Sequence, residues 1–352
     1  MGPAEVGYRL VEPVRRALGA STGRLQSLPI LALTVHSACN CRCVMCDIWT
    51  ANAEGREIDL ATLDRQLAAM RRLRVRRVML TGGEPLLHRN LWALCDRLRA
   101  DGIAVTLVTT GLLIGRHAAD VARCCDEVVV SIDGPPPVHD AIRRVPGGHA
   151  RIATSLDLLA GRPGTRRVIA RSVVQRLNCA VVDETVAATL RLAVDRVSFL
   201  PVDLATPAFN REQPWDASRR AEVAIGPDEV PLLHAAIERT VRDHATALAH
   251  GFVEGGQAAL WRIEHHARAS LGLSEAPLVR CNAPWVSAVL EVDGRVRPCF
   301  FHPPYAVPAG GSLEAMVNAP SAVAFRRQLD VRRDPICRAC VCSKYLAPHQ
   351  TP

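Results

Sequence analysis

Aromatic residues are scarce in this chain: Phe, Trp and Tyr together make up 4% of its 352 residues. Basic residues outnumber acidic ones, 43 to 35, for a formal net charge of +8. They are not interleaved with rings on which bases could stack, so nucleic acid is not the expected partner. Long hydrophobic runs are also lacking. No stretch of eighteen residues is uninterruptedly apolar, which excludes a conventional membrane-spanning helix. The first residues include Glu5, Arg9 and Glu12 and have no signal-peptide core, so cytoplasmic residence is expected. Much of the positive charge is arginine, as in Arg71, Arg72, Arg74, Arg76 and Arg77, and reads as a solvated face.

Cysteine, by contrast, is plentiful. Thirteen cysteines would suggest a disulfide framework in a small secreted protein, but this chain is 49% apolar and long enough for a substantial core. The cysteines cluster instead in spacings suited to metals. Cys39, Cys43 and Cys46 form a C-x3-C-x2-C run, with Cys41 inside it. Soft thiolates suit iron–sulfur clusters or zinc, and spacing alone leaves zinc and disulfides open. The apolar run Ile30-Leu31-Ala32-Leu33-Thr34-Val35 precedes the triad and reads as a buried strand. A second run, Val78-Met79-Leu80, leads into Thr81-Gly82-Gly83-Glu84-Pro85. Glycines there permit close backbone approach to a ligand, and backbone carbonyls or Glu84 can accept hydrogen bonds from an ammonium group.

The order of elements supplies a scaffold. Strands are expected at 30–36, 76–80, 104–108, 127–132, 166–174 and 196–200. Helical sequence lies between them, at 59–72 with Asp59 as a cap, at 88–100, up to about 123, at 149–160 and at 182–192. Six β-α repeats predict a parallel sheet. A polar stretch from about 205 to 226 reads as a connector or active-site loop. Helices follow at 228–249 and 258–271. His265 and His266 are adjacent on the second of these and do not face one site. Further on, Ser287 to Val292, then Asp293-Gly294, then Arg295-Val296-Arg297 predict a hairpin. Cys281 and Cys299 flank it, and Cys337, Cys340 and Cys342 follow. Four thiolates in this pattern would by spacing alone suggest structural zinc.

The triad and the Gly-Gly-Glu-Pro motif together resemble the radical S-adenosylmethionine (radical SAM) superfamily, over about residues 28–345. The resemblance implies an α/β fold, a partial (β/α)6 TIM-like barrel with a small C-terminal α+β domain. It implies a [4Fe-4S] cluster on Cys39, Cys43 and Cys46, with Cys41 not a ligand, whose open iron chelates SAM. Gly82, Gly83, Glu84 and Pro85 would contact the amino group of SAM. Barrel chemistry sits at the C-terminal ends of strands. Thr109, Ser131 and Asp133 are therefore candidate SAM contacts, the last two for the ribose, and Arg171 is a candidate for its carboxylate. Asp133 has an alternative reading as a turn cap before Gly134 and three prolines. The Cys281–Gly294–Cys299 spacing resembles the SPASM and twitch extensions of the same superfamily. Five cysteines beyond residue 280, fewer than a full SPASM domain carries, favour one auxiliary [4Fe-4S] cluster, on Cys281, Cys299, Cys337 and Cys340, with Cys342 spare.

These assignments divide the chain into an extension (1–27), the barrel (28–226), a helical connector (227–280), the auxiliary domain (281–345) and a tail (346–352). The expected cofactors are two [4Fe-4S] clusters and SAM. The expected electron donor is a flavodoxin or ferredoxin. Cys179, after the fifth strand, is a candidate hydrogen donor to a substrate radical. The expected substrate is a small sugar-like or aminocyclitol-like molecule of natural-product biosynthesis that is dehydrogenated or epimerised. The alternative is a ribosomal peptide or protein. About 29 residues precede the first strand, fewer than a leader-binding domain needs, which favours the small molecule.

Overall fold

The computed structural model describes residues 3–164, 167–211 and 213–352. Six strands alternate with helices along the first 201 residues: β1 (Ile30–His36), β2 (Arg77–Gly82), β3 (Ala104–Thr109), β4 (Glu127–Ser131), β5 (Val168–Val174) and β6 (Arg196–Pro201). Each pairs in parallel with the next. Alternation of apolar strands with amphipathic helices dictates this arrangement, because a parallel crossover needs a helix to return the chain. The helices bury one face each; Leu63, Ala69 and Met70 in Leu60–Arg72 are examples. Asp59 caps that helix, its side chain accepting from the Thr62 amide at 2.7 Å. The expected strand over 166–174 begins at Val168 among the described residues; its first position, Arg166, lies outside them.

One helix differs from the sequence expectation, and one strand pairing goes beyond it. The expected 228–249 helix is two, Glu229–Asp243 and Ala245–Ala249, divided at His244. The hairpin does not stand apart from the barrel. Its strands, β7 (Ser287–Leu290) and β8 (Val296–Arg297), are antiparallel to each other, and β7 pairs in parallel with β1. The sheet order is thus β6-β5-β4-β3-β2-β1-β7-β8, one sheet of eight strands. The auxiliary segment extends the barrel sheet past its first strand and lies beside the cysteine loop that follows β1. Gly294 takes φ +82° in the turn, a conformation glycine adopts without a Cβ penalty. Among the described residues no helix is long and apolar enough to cross a membrane.

Candidate radical SAM active site

The cysteine loop leaves β1 and is held from several sides. The glycines of the Gly-Gly-Glu-Pro turn are required by this loop. The Gly83 amide donates to the His36 carbonyl at 2.8 Å, and the Glu84 amide to the Ala38 carbonyl at 2.8 Å. A Cβ on Gly83 would sit 2.0 Å from the Ala38 oxygen, and one on Gly82 2.4 Å from the His36 oxygen. Gly82 also has φ +129°.

Glu84 is fully buried. Its carboxylate accepts from the Thr109 hydroxyl at 2.8 Å, the Thr110 amide at 2.7 Å and the Leu86 amide at 3.0 Å. It therefore ties the loop after β2 to the end of β3, and burial raises its pKa. Thr109 is occupied in the same bond. Pro85 starts the short 3-10 turn that Glu84 caps.

Within the loop, the thiol of Cys41 lies in hydrogen-bonding reach of both Cys39 and Cys43, and this contact together with burial raises its pKa. Cys43 is lowered to about 6, by that bond from Cys41 and by the Arg143 charge, against burial. Burial pushes Cys46 up to about 12. Three thiols from one eight-residue loop, one of them biased to thiolate, are a donor set suited to iron.

Arg143 was not singled out from the sequence. Its Nη1 lies 3.5 Å from Cys43 Sγ, and its Nε pairs with the Asp133 carboxylate at 2.5 Å. Asp133 is fully buried and also accepts from the Val173 amide at 2.9 Å. It thus ties Arg143 to the end of β5. The three prolines do not make a simple turn. They begin the helix Pro136–Arg143, which delivers Arg143 to the site from its last turn. Proline at a helix start was the available sequence signal.

Ser131, Arg171 and Ser198 lie abreast across β4, β5 and β6. Arg171 donates from Nε to Ser198 Oγ at 3.1 Å, and no carboxylate lies within salt-bridge distance among the described residues. Cys179 begins the short 3-10 turn Cys179–Val181 that follows β5. It is 1% exposed, and its thiol donates to the Arg176 carbonyl at 3.3 Å. Burial pushes it up to about 11.

The 205–226 stretch clasps the same cysteine loop. Arg211 is buried, pairs with Asp203 at 2.9 Å and donates to the Met45 carbonyl at 3.3 Å. Arg219 donates to the Val44 carbonyl at 2.5 Å, and the Trp215 indole to Asp47. The Arg211 guanidinium lies 3.9 Å from the centre of the Trp215 ring.

Beside the loop lies a chamber of about 190 Å³. Gly82 and Gly83 form one wall, Phe209 and Asn210 another, and Glu291, Arg295 and Arg297 of the hairpin a third. A second cavity behind it is lined by Cys281, Cys299, Cys337, Cys340 and Cys342. The two cavities share Val289 and Phe300 as a common wall. Burial pushes Cys299 up to about 11 and Cys340 to about 12. Among the described residues, His302, Asp334 and Cys337 are the one group of three ligand atoms that converge within 4.8 Å. His266, expected not to be a ligand, bonds the Ala339 carbonyl at 3.1 Å.

Residues 33–174 match the radical SAM superfamily, and residues 281–341 match SPASM, an iron–sulfur cluster-binding domain. The GTP 3',8-cyclase of Xanthomonas campestris is 34% identical over 158 residues, 42% of this chain and 46% of that protein. A probable GTP 3',8-cyclase of Methanopyrus kandleri is 38% identical over 103 residues, 29% of this chain and 33% of that protein. The chain thus spans less than half the length of these curated relatives.

Two solved structures share the fold. Streptococcus suis SuiB bound to the precursor peptide SuiA aligns over 98% of this chain and 77% of its own, with TM-score 0.62 and 14% identity. The protein anSMEcpe with bound AdoMet and the Cp18Cys peptide aligns over 89% of this chain and 88% of its own, with TM-score 0.60 and 16% identity. The chain contains a radical SAM superfamily domain followed by a SPASM iron–sulfur cluster-binding domain.

Proposed function

We propose that this enzyme abstracts a hydrogen atom from a residue of a ribosomally made peptide or protein. The observation that carries it is the pairing of the SPASM segment with the first barrel strand, which sets the five-thiol cavity behind a chamber walled by the Gly82-Gly83 turn. The likeness to peptide-bound SuiB and anSMEcpe supports the same reading, and the balance moves from the small molecule to the peptide.

In this reading Cys39, Cys43 and Cys46 hold the catalytic cluster and Cys281, Cys299, Cys337 and Cys340 the auxiliary one. When loaded, the first cluster with SAM supplies a 5'-deoxyadenosyl radical, and the second supplies a one-electron acceptor. The chain's own residues orient these groups. The Gly82-Gly83 backbone would hold the amino end of SAM. Arg171, with no carboxylate partner among the described residues, is placed to take an anionic group, and Ser131 lies beside it. Phe209 and Phe300 offer apolar walls to the incoming side chain, while Glu291, Arg295 and Arg297 line the chamber with charge. A flavodoxin or ferredoxin is the proposed electron donor, and the positive net charge suits such an acidic partner.

The test is SAM cleavage by the reduced enzyme, measured with the peptide encoded beside its gene and, separately, with aminocyclitols and sugars. Stimulation by the peptide, with a mass change in it, is the expected result. Stimulation by a sugar or aminocyclitol alone would restore the small-molecule reading.

A further inference from the structure

His302 is nearly fully buried, three residues past Cys299, and the roles assigned above do not use it. Its Nε2 lies 3.3 Å from Cys337 Sγ and 3.4 Å from Asp334 Oδ1. Both neighbours are acceptors when the thiol is a metal ligand, so Nε2 carries the hydrogen and shares it between them. The ring is fixed from its other sides. Phe325 packs edge-on against it with centroids 5.0 Å apart, and Arg297 holds the His302 carbonyl at 3.2 Å. Asp334 is fixed too, because it caps the helix Pro335–Arg338 by accepting from the Cys337 amide at 2.8 Å. The backbone amide of His302 reaches Cys299 as well. One residue thus touches two of the proposed auxiliary ligands.

We propose that His302 sets the reduction potential of the auxiliary cluster by donating its Nε2–H to the Cys337 sulfur, with Asp334 competing for the same hydrogen. The inference rests on the assignment of Cys337 to that cluster. A hydrogen bond to a ligating sulfur withdraws charge from it and favours the reduced, more negative form of the cluster. Asp334 does the opposite: it draws off part of the hydrogen bond and adds a negative charge beside the sulfur. His302 is a positioning residue and need not touch the substrate.

The experiment is EPR-monitored potentiometry of the anaerobically reconstituted full chain. The auxiliary signal is taken as the one that added SAM leaves unchanged, and iron content is measured in parallel. His302→Leu should shift the auxiliary midpoint to more negative potential. His302→Gln, which keeps an N–H donor, should stay near wild type. Asp334→Asn should shift it to more positive potential. Opposite signs from two neighbouring residues are not expected of a packing defect. A wild-type midpoint in His302→Leu with full iron content would overturn the proposal, as would shifts of the same sign in both variants. If His302→Leu fails to retain iron, the outcome rests on Asp334→Asn, where an unshifted midpoint overturns it. A wild-type protein with only one cluster would remove the auxiliary assignment itself, and the iron count separates that result from the others.

Discussion

The two cysteine sites in this molecule are built in opposite ways. The catalytic triad comes from a single loop, Cys39 to Cys46, whose shape is imposed from outside. The Gly-Gly turn docks on its backbone, Arg143 faces Cys43, and the 205–226 segment clasps Met45, Val44 and Asp47. The auxiliary thiols come from Cys281 to Cys342 and meet only because β7 pairs with β1 and Pro335–Arg338 folds back over the hairpin. The first site has local spacing and long-range supports. The second has long-range spacing and a local support, His302 with Asp334. Damage to the supports of one site should therefore spare the other.

The largest effect is expected from Cys43→Ala, which should abolish SAM cleavage and remove about four irons while leaving an auxiliary EPR signal. Cys41→Ala should leave SAM cleavage largely intact, although its thiol touches both neighbours. Equal loss in the two variants would assign Cys41 a ligand's role.

Arg143→Leu breaks a buried ion pair and strands the Asp133 carboxylate, at a cost of about 3–5 kcal/mol in denaturant unfolding. Double substitution with Asp133→Leu should recover part of that loss. Additive costs instead would show that the pair is not coupled.

Gly83→Ala forces a Cβ against the Ala38 carbonyl. It should cost roughly 1–3 kcal/mol and weaken SAM binding in a calorimetric titration, with the auxiliary potential unchanged.

The smallest effect is expected from Trp215→Phe, which leaves Asp47 without the indole donor. A loss of about 1 kcal/mol in stability, with SAM cleavage slowed only modestly, would fit a clasp that is one of several.

The contrast between the sites also explains what could be read from sequence. The strand before the triad, the Gly-Gly-Glu-Pro turn, the six repeats and the β7–β8 turn are local patterns, and all four are present in the fold. Partner choice between distant side chains is not a local pattern. Asp133 follows a strand end, and its partner Arg143 comes from a helix whose proline-rich start reads as a turn. Cys179 also follows a strand end, and its buried thiol meets the Arg176 carbonyl, a contact no local motif announces. The pairing of β7 with β1 joins segments more than 250 residues apart, and no short motif encodes it. His302 has a weak local signal, a histidine three residues after Cys299, whose meaning appears only when Asp334 and Cys337 arrive beside it.

The central claim is that the chain builds two independent clusters. Its most direct test is the iron content of the anaerobically reconstituted chain with Cys39, Cys43 and Cys46 all changed to Ala. The wild type should hold about eight irons and no stoichiometric zinc, and the triple variant about four. An iron count near zero in the triple variant would contradict the claim and show that the auxiliary thiols hold no cluster of their own.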